Sequence, residues 1–162
     1  MRLKTLVVRM MAVLVLASFV VGATPSKAAE KKSYTEKELK MMSAIIFCEA
    51  GNQCYAGKLA VGIVVMNRKS SKKFPNTVKG VLKQRYQFTP VRTGKWAKEM
   101  KKYEQGKYKS GARKNCVKAA KAALEREKIV TYKGKKINMR KYHFFSQRLS
   151  NPKLRISGHV FK

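Results

Sequence analysis

The stretch Leu59-Ala60-Val61-Gly62-Ile63-Val64-Val65-Met66 carries no polar side chain on any side. Whatever it forms must be enclosed by the rest of the chain, because an element apolar all round has no face to give to water. Its β-branched residues permit a buried strand. The length of the segment Gly57 to Lys69, with its alanine and glycine, favours a central helix. Asn67 and Arg68 follow at once, within a turn of this core.

The elements that wrap this segment carry clear signals. Ser33 to Glu36 and Thr35 to Glu38 are overlapping capping boxes, so a helix is expected to start there. Leu39, Met42 and Ile46 follow at spacings of three and four, and the next step of three lands on Glu49 before Gly51 and Asn52 end the helix. Phe74-Pro75-Asn76-Thr77 predicts a turn into a short helix through Val78, Val81 and Leu82, with Thr77 as its cap. Gln84 to Trp96 is expected to be loop, and 96–111 a surface helix or a long connection. Residues 112–127 return to helical spacing through Val117, Ala120 and Leu124.

Strand signals come last. Ile129 to Tyr132 and Ile137 to Met139 flank Lys133-Gly134-Lys135-Lys136 and read as a hairpin, and Tyr142 to Phe145 and Leu154 to Phe161 read as two more strands. The fold class is therefore α+β, mainly helical, with a small antiparallel sheet toward the C-terminus.

Charge and compartment bound the function. Arg2, Lys4 and Arg9 precede the apolar run Met10 to Gly22, and small residues follow in Ser26-Lys27-Ala28-Ala29. These are the three zones of a secretory signal peptide, expected over 1–28, with an apolar run too short to span a bilayer and no stable span after cleavage. The remaining chain holds 34 lysines and arginines against eight glutamates, a net charge of +26, with no aspartate. Inside a cell that surplus would point to nucleic acid. Outside a bacterium it points to anionic wall polymers. A secreted nuclease would need a metal-binding carboxylate cluster or a histidine pair, and His143 and His159 offer neither; no metal and no cofactor are expected. Of Cys48, Cys54 and Cys116, at most one pair can bridge; Cys54 with Cys116 is the expected pair, leaving Cys48 as a small buried residue.

Glu49 is the residue that asks for chemistry. A carboxyl on an apolar helical face loses solvation, which raises its pKa, and surface lysines are screened within roughly 8 Å. A proton held near neutral pH suits a general acid for a glycosidic oxygen. A helix-end glutamate that merely turns to solvent has the same pattern. No second carboxylate stands out, which suits lytic transglycosylation, where the sugar's own C6 hydroxyl replaces water as nucleophile and one residue serves as acid and then base.

"IIFCEAGNQCYAGKLAVGIVVMNRKSSKKFPNTVKGVL", "YQFTPVRTGKW" and "ISGHVFK" together resemble the SleB-type cell-wall hydrolases, which include spore cortex-lytic enzymes. The resemblance implies a lysozyme-like catalytic domain over 39–162, behind a short lead at 29–38. It implies cleavage between N-acetylmuramic acid and N-acetylglucosamine in peptidoglycan glycan strands, with Glu49 as catalytic residue. It further implies a groove wall in which Phe88 packs on a sugar face and Gln87 bonds it, beside Tyr86. Asn67 and His159 complete the expected substrate-binding set. A monomer acting on the wall or the spore cortex is expected. The alternatives are a non-catalytic cationic wall-binding protein on the same fold and a two-carboxylate muramidase.

Overall fold

The computed structural model describes residues 33–162; the expected leader at 1–28 lies outside them. Six helices come first: α1 Glu36–Ala50, α2 Tyr55–Ser70, α3 Val78–Leu82, α4 Thr89–Arg92, α5 Lys95–Glu104 and α6 Gly111–Leu124. Five short strands follow: β1 Ile129–Tyr132, β2 Lys135–Asn138, β3 Phe145–Ser146, β4 Leu154–Ile156 and β5 His159–Phe161.

Only the second capping box closes. The Thr35 hydroxyl accepts from the Glu38 amide while the Glu38 carboxylate accepts from the Thr35 amide, satisfying two donors that the first turn would leave open. Ser33 instead donates to the Leu124 carbonyl at the end of α6.

The all-apolar run is the central helix. Every residue of α2 from Ala56 to Arg68 is buried, with α1, α3 and α6 packed around it. Its small residues explain why a helix wins over a strand: a Cβ on Gly62 would stand 2.9 Å from Ala123 Cβ and 3.1 Å from Ile46 Cδ1, so α6 and α1 close on α2 where it has no side chain. Gly62→Val is therefore expected to lower the unfolding free energy by about 1–3 kcal/mol through overpacking. Urea denaturation checks this, and an unchanged midpoint would contradict the close three-helix contact.

Two expectations are corrected. Gln84 to Trp96 is not all loop, since Thr89–Arg92 forms α4 with Pro90 in its first turn, where a missing N–H costs nothing. The C-terminal strands form two sheets instead of one. β1 and β2 pair antiparallel, Ile129 opposite Asn138 and Tyr132 opposite Lys135, around Lys133-Gly134 with both φ positive (50° and 74°), the conformation that suits a two-residue hairpin. The other sheet has the order β3-β5-β4, because Leu154 to Phe161 folds on itself at Ser157-Gly158.

The cysteines also differ from expectation: all three are free. Cys54 is exposed at the α1–α2 loop, whereas Cys116 lies fully inside the core face of α6, so it is Cys116 and not the half-buried Cys48 that behaves as the small core residue. Among the described residues no helix is long and apolar enough to cross a membrane, and no group of His, Cys, Asp or Glu is placed to hold a metal.

Candidate active site

The stripe Leu39, Met42 and Ile46 is buried, and it carries Glu49 into the last turn of α1 as a half-buried carboxyl. Burial alone pushes its pKa up from an ordinary 4.5 to about 7. No hydrogen-bond or ion-pair partner reaches it among the described residues, so nothing favours the charged form. Its neighbour Cys48 is pushed up to about 12 by burial and then by the nearby Glu99 and Glu49 charges, so its thiol stays protonated and is no nucleophile.

Glu99 is the other buried carboxylate close to α1, and its environment is the opposite. It accepts from Arg113 Nε (3.0 Å) and Nη2 (3.1 Å), Lys102 Nζ (2.7 Å) and the Tyr108 hydroxyl (3.0 Å). Burial pushes its pKa up, but these hydrogen bonds and the Arg113 charge outweigh it and hold the group below the usual carboxylate range. Glu99 is thus a fixed anion that fastens α5 to the start of α6. Arg113 extends the cluster toward the site, its guanidinium lying 4.1 Å from the centre of the Phe47 ring, two residues before Glu49.

The loop after Glu49 is held by a residue that sequence reasoning missed. The Gly158 amide donates to Gln53 Oε1 (3.3 Å), which fixes the orientation of the side-chain amide and makes Nε2 the donor to His159 Nδ1 (2.9 Å). Lys58 Nζ donates to the Gln53 carbonyl from the first turns of α2. Gln53 therefore joins the α1–α2 loop to the β4–β5 turn. His159 is buried, its pKa lowered by burial, so it accepts as a neutral ring. Removing the amide in Gln53→Ala strands the buried His159 Nδ1 and leaves the exposed Gly158 amide to water. A destabilisation of about 1–3 kcal/mol is expected, with faster amide exchange across 51–54 by mass spectrometry; unchanged exchange there would contradict the clamp.

The remaining expected site residues separate into exposed and enclosed. Tyr86 is 75% exposed, at φ 63°, with Arg85 stacked 4.8 Å from its ring centre, and Gln87 is exposed beside it. Phe88, at 3% exposure, packs inward between Arg68 (5.6 Å) and Phe145 (6.2 Å), and what surface it keeps lines a cavity with Tyr86 and Val91. Asn67 has its amide already engaged within the fold. Its Nδ2 donates to the Met139 (2.7 Å) and Tyr142 (2.9 Å) carbonyls and its Oδ1 accepts from Lys128 (2.8 Å). Arg68, next in sequence, donates from Nε to the His143 carbonyl (2.6 Å) and sits among the Phe74, Phe88 and Phe144 rings; its pKa falls to about 10 through burial. These two residues tie the end of α2 to the segment between the two sheets.

Half-buried Phe145, 6.2 Å from Phe88 and 5.0 Å from His159, links the loop carrying Tyr86 and Gln87 to the His159–Gln53 clamp. The expected strand at Tyr142 to Phe145 begins only at Phe145, and its contacts to Phe88 and His159 were not visible in sequence. A cavity of about 690 Å³ lies elsewhere: Glu36, Lys37, Lys40 and Met41 line it from the first turns of α1, with Trp96 and Met100 opposite. The chemistry of Glu49, an unpartnered acid with a raised pKa, identifies the candidate site better than cavity size does.

Comparison with known proteins agrees on one family. Residues 52–162 match the family model described as Cell Wall Hydrolase, beginning three residues after Glu49. A spore cortex-lytic enzyme of Oceanobacillus iheyensis is 36% identical over 73 residues, 45% of this chain and 26% of that protein. One from Bacillus subtilis is 29% identical over 79 residues, again 26% of its length. The chain thus aligns with about a quarter of these relatives. In structure it is similar to the catalytic domain of the germination-specific lytic transglycosylase SleB from Bacillus anthracis, with a TM-score of 0.57, 22% identity, and coverage of 79% of this chain and 95% of that one. The catalytic domain of Bacillus cereus SleB gives a TM-score of 0.58 at 21% identity, covering 79% and 91%.

Proposed function

The chain belongs to the cell wall hydrolase family, and from that premise we propose that it is a secreted lytic transglycosylase. It cuts the bond between N-acetylmuramic acid and N-acetylglucosamine in peptidoglycan, with Glu49 as its single catalytic carboxyl. The observation that carries the reading is the pKa of Glu49, raised to about 7 by burial with no partner holding the charge. Near neutral pH this group keeps a proton that it can give to a glycosidic oxygen. As the carbon–oxygen bond breaks, the muramic acid C6 hydroxyl attacks C1 and returns its proton to the Glu49 carboxylate, so acid and base are one residue and the product is an anhydro sugar.

Glu99 supports the single-carboxylate route over the two-carboxylate one. A partner that activates water must be free to accept its proton, and Glu99 is committed to Arg113, Lys102 and Tyr108. Exposed Gln87 and Tyr86 remain the substrate contacts of this reading, with His159 acting from beneath through Gln53. The leader pattern at 1–28 supports export to the wall or cortex.

Mass spectrometry of purified peptidoglycan digested by the protein tests the proposal. Muropeptides lighter by one water than the hydrolytic products are expected. Ordinary reducing ends would show that water, and not the C6 hydroxyl, closes the reaction.

A further inference from the structure

At the other end of α2 from the Glu49 loop, roughly 22 Å along the helix axis, lies a cavity of about 410 Å³. Ser70, Ser71, Arg126, Lys128, Arg140 and His143 line it, each able to donate a hydrogen bond, together with Asn67, whose amide is already engaged, and no carboxylate side chain is among them. The guanidinium groups of Arg126 and Arg140 have no hydrogen-bond or ion-pair partner among the described residues. Lys128 is tethered to Asn67 Oδ1 (2.8 Å), which fixes the direction of its ammonium. Its pKa is lowered, first by burial and then by Arg140 and Arg126, so the three cations are close enough to repel one another.

Helix ends account for only part of this. α2 ends at Ser70 and α6 at Leu124, and each C-terminus carries about half a negative charge. Two such ends offset about one of three cations. Glu127 does not supply the rest, because its Oε1 accepts from the Lys128 and Ile129 amides and it is not among the charges that act on the Lys128 ammonium. Arg126, held at φ 68°, turns the chain out of α6 just where it brings its side chain to the cavity. Donors, positive charge and a concave surface coincide here, with no internal anion.

We propose that this cavity is a phosphate-ester site, formed by Arg126, Lys128 and Arg140, that holds the protein on a polyol-phosphate polymer of the wall while Glu49 works on the glycan. A phosphate oxygen set accepts from a guanidinium fork and from further donors at once, and a phosphodiester polymer would place such a group at the cavity repeatedly. The choice of a wall polymer as the source rests on the function proposed above; the phosphate chemistry rests on the cavity alone.

The test measures binding of the purified protein to polyglycerol phosphate and to phosphatidylglycerol vesicles, across a salt series, for the parent and three variants. Neutralising both arginines, Arg126→Gln with Arg140→Gln, is expected to weaken polymer binding by at least about tenfold and to reduce the slope of log affinity against log salt by about one to two. The single variants fall between. The melting temperature of the double variant should not drop, since repulsion is removed, and turnover of soluble glycan should stay at the parent level. Glu49→Gln should bind as the parent does, which separates this proposal from the enzymatic one. A control pair, Lys107→Gln with Lys109→Gln, removes the same charge from an exposed stretch. An equal loss in the control would reduce the effect to diffuse basicity and overturn the site. Loss of vesicle binding with polymer binding intact would assign the cavity to a lipid headgroup and overturn the wall polymer as its occupant.

Discussion

Glu49→Gln is expected to cost about 10²- to 10⁴-fold in glycan cleavage, the range that a positioned general acid contributes, while the fold persists. The amide is nearly isosteric and no partner is lost, because none holds the carboxyl. Activity of the parent should fall as pH rises through about 7, since the reactive form carries the proton. Stability should follow the same group. The folded chain holds this proton up to about 7 and the unfolded chain only to about 4.5. The resulting stabilisation is complete below the lower value and is lost as pH rises through the upper one. Above neutrality the parent then carries an unpaired, partly desolvated carboxylate, and Glu49→Gln should be the more stable protein by up to on the order of 3 kcal/mol. The difference should vanish toward pH 4. Urea titrations at both ends of this range, beside a pH–rate profile, give two independent readings. Undiminished turnover in the variant would remove Glu49 from the mechanism.

Glu99→Ala is expected to lower the unfolding free energy by about 1–3 kcal/mol at pH 7, through the lost charge-assisted hydrogen bonds. Glu99 is 7% exposed, and its removal strands the buried Tyr108 hydroxyl and leaves Arg113 and Lys102 to the solvent alone. Arg113 would lose both guanidinium bonds while still pressed against Phe47. Here the folded pKa is held below its ordinary value, so the stabilisation is present above about 4.5 and drains as pH falls below it. The gap between parent and Glu99→Ala should accordingly narrow on acidification, as for Glu49→Gln, but with the parent as the more stable protein. Glu99→Gln keeps acceptor and donor geometry without charge and should fall between them. Equal stability of Glu99→Ala and the parent at pH 7 would show that the cluster merely decorates the surface.

The contrast between these two glutamates shows where sequence reading stops. Glu49 could be singled out because its environment is made by its own helix: Leu39, Met42 and Ile46 lie on the same face at helical spacing, so the apolar surroundings are written locally. Glu99 lies in a run of lysines that reads as solvated surface, and only the packing of α5 against α1 buries it. Its partners Tyr108 and Arg113 come from beyond the end of α5, at separations a periodicity argument does not reach. The burial of Phe88 was illegible for the same reason. In sequence it is an aromatic in a loop between exposed residues, and its inward turn depends on Arg68 and Phe145, which converge on it from α2 and β3.

The sequence by itself determined most of the elements and one candidate acid: an all-apolar run that had to be enclosed, a helix start at overlapping capping boxes, turns at proline and glycine, and a glutamate continuing a buried stripe. These follow from interactions within a few residues, whose spacing the chain displays directly. Tertiary structure alone decided which polar groups were consumed in holding the fold, as with Asn67, Gln53 and Glu99, and which cations were left facing a cavity without an anion. Burial, hydrogen bonding and charge pairing depend on neighbours brought from distant parts of the chain, and a linear order of residues carries no distances between them.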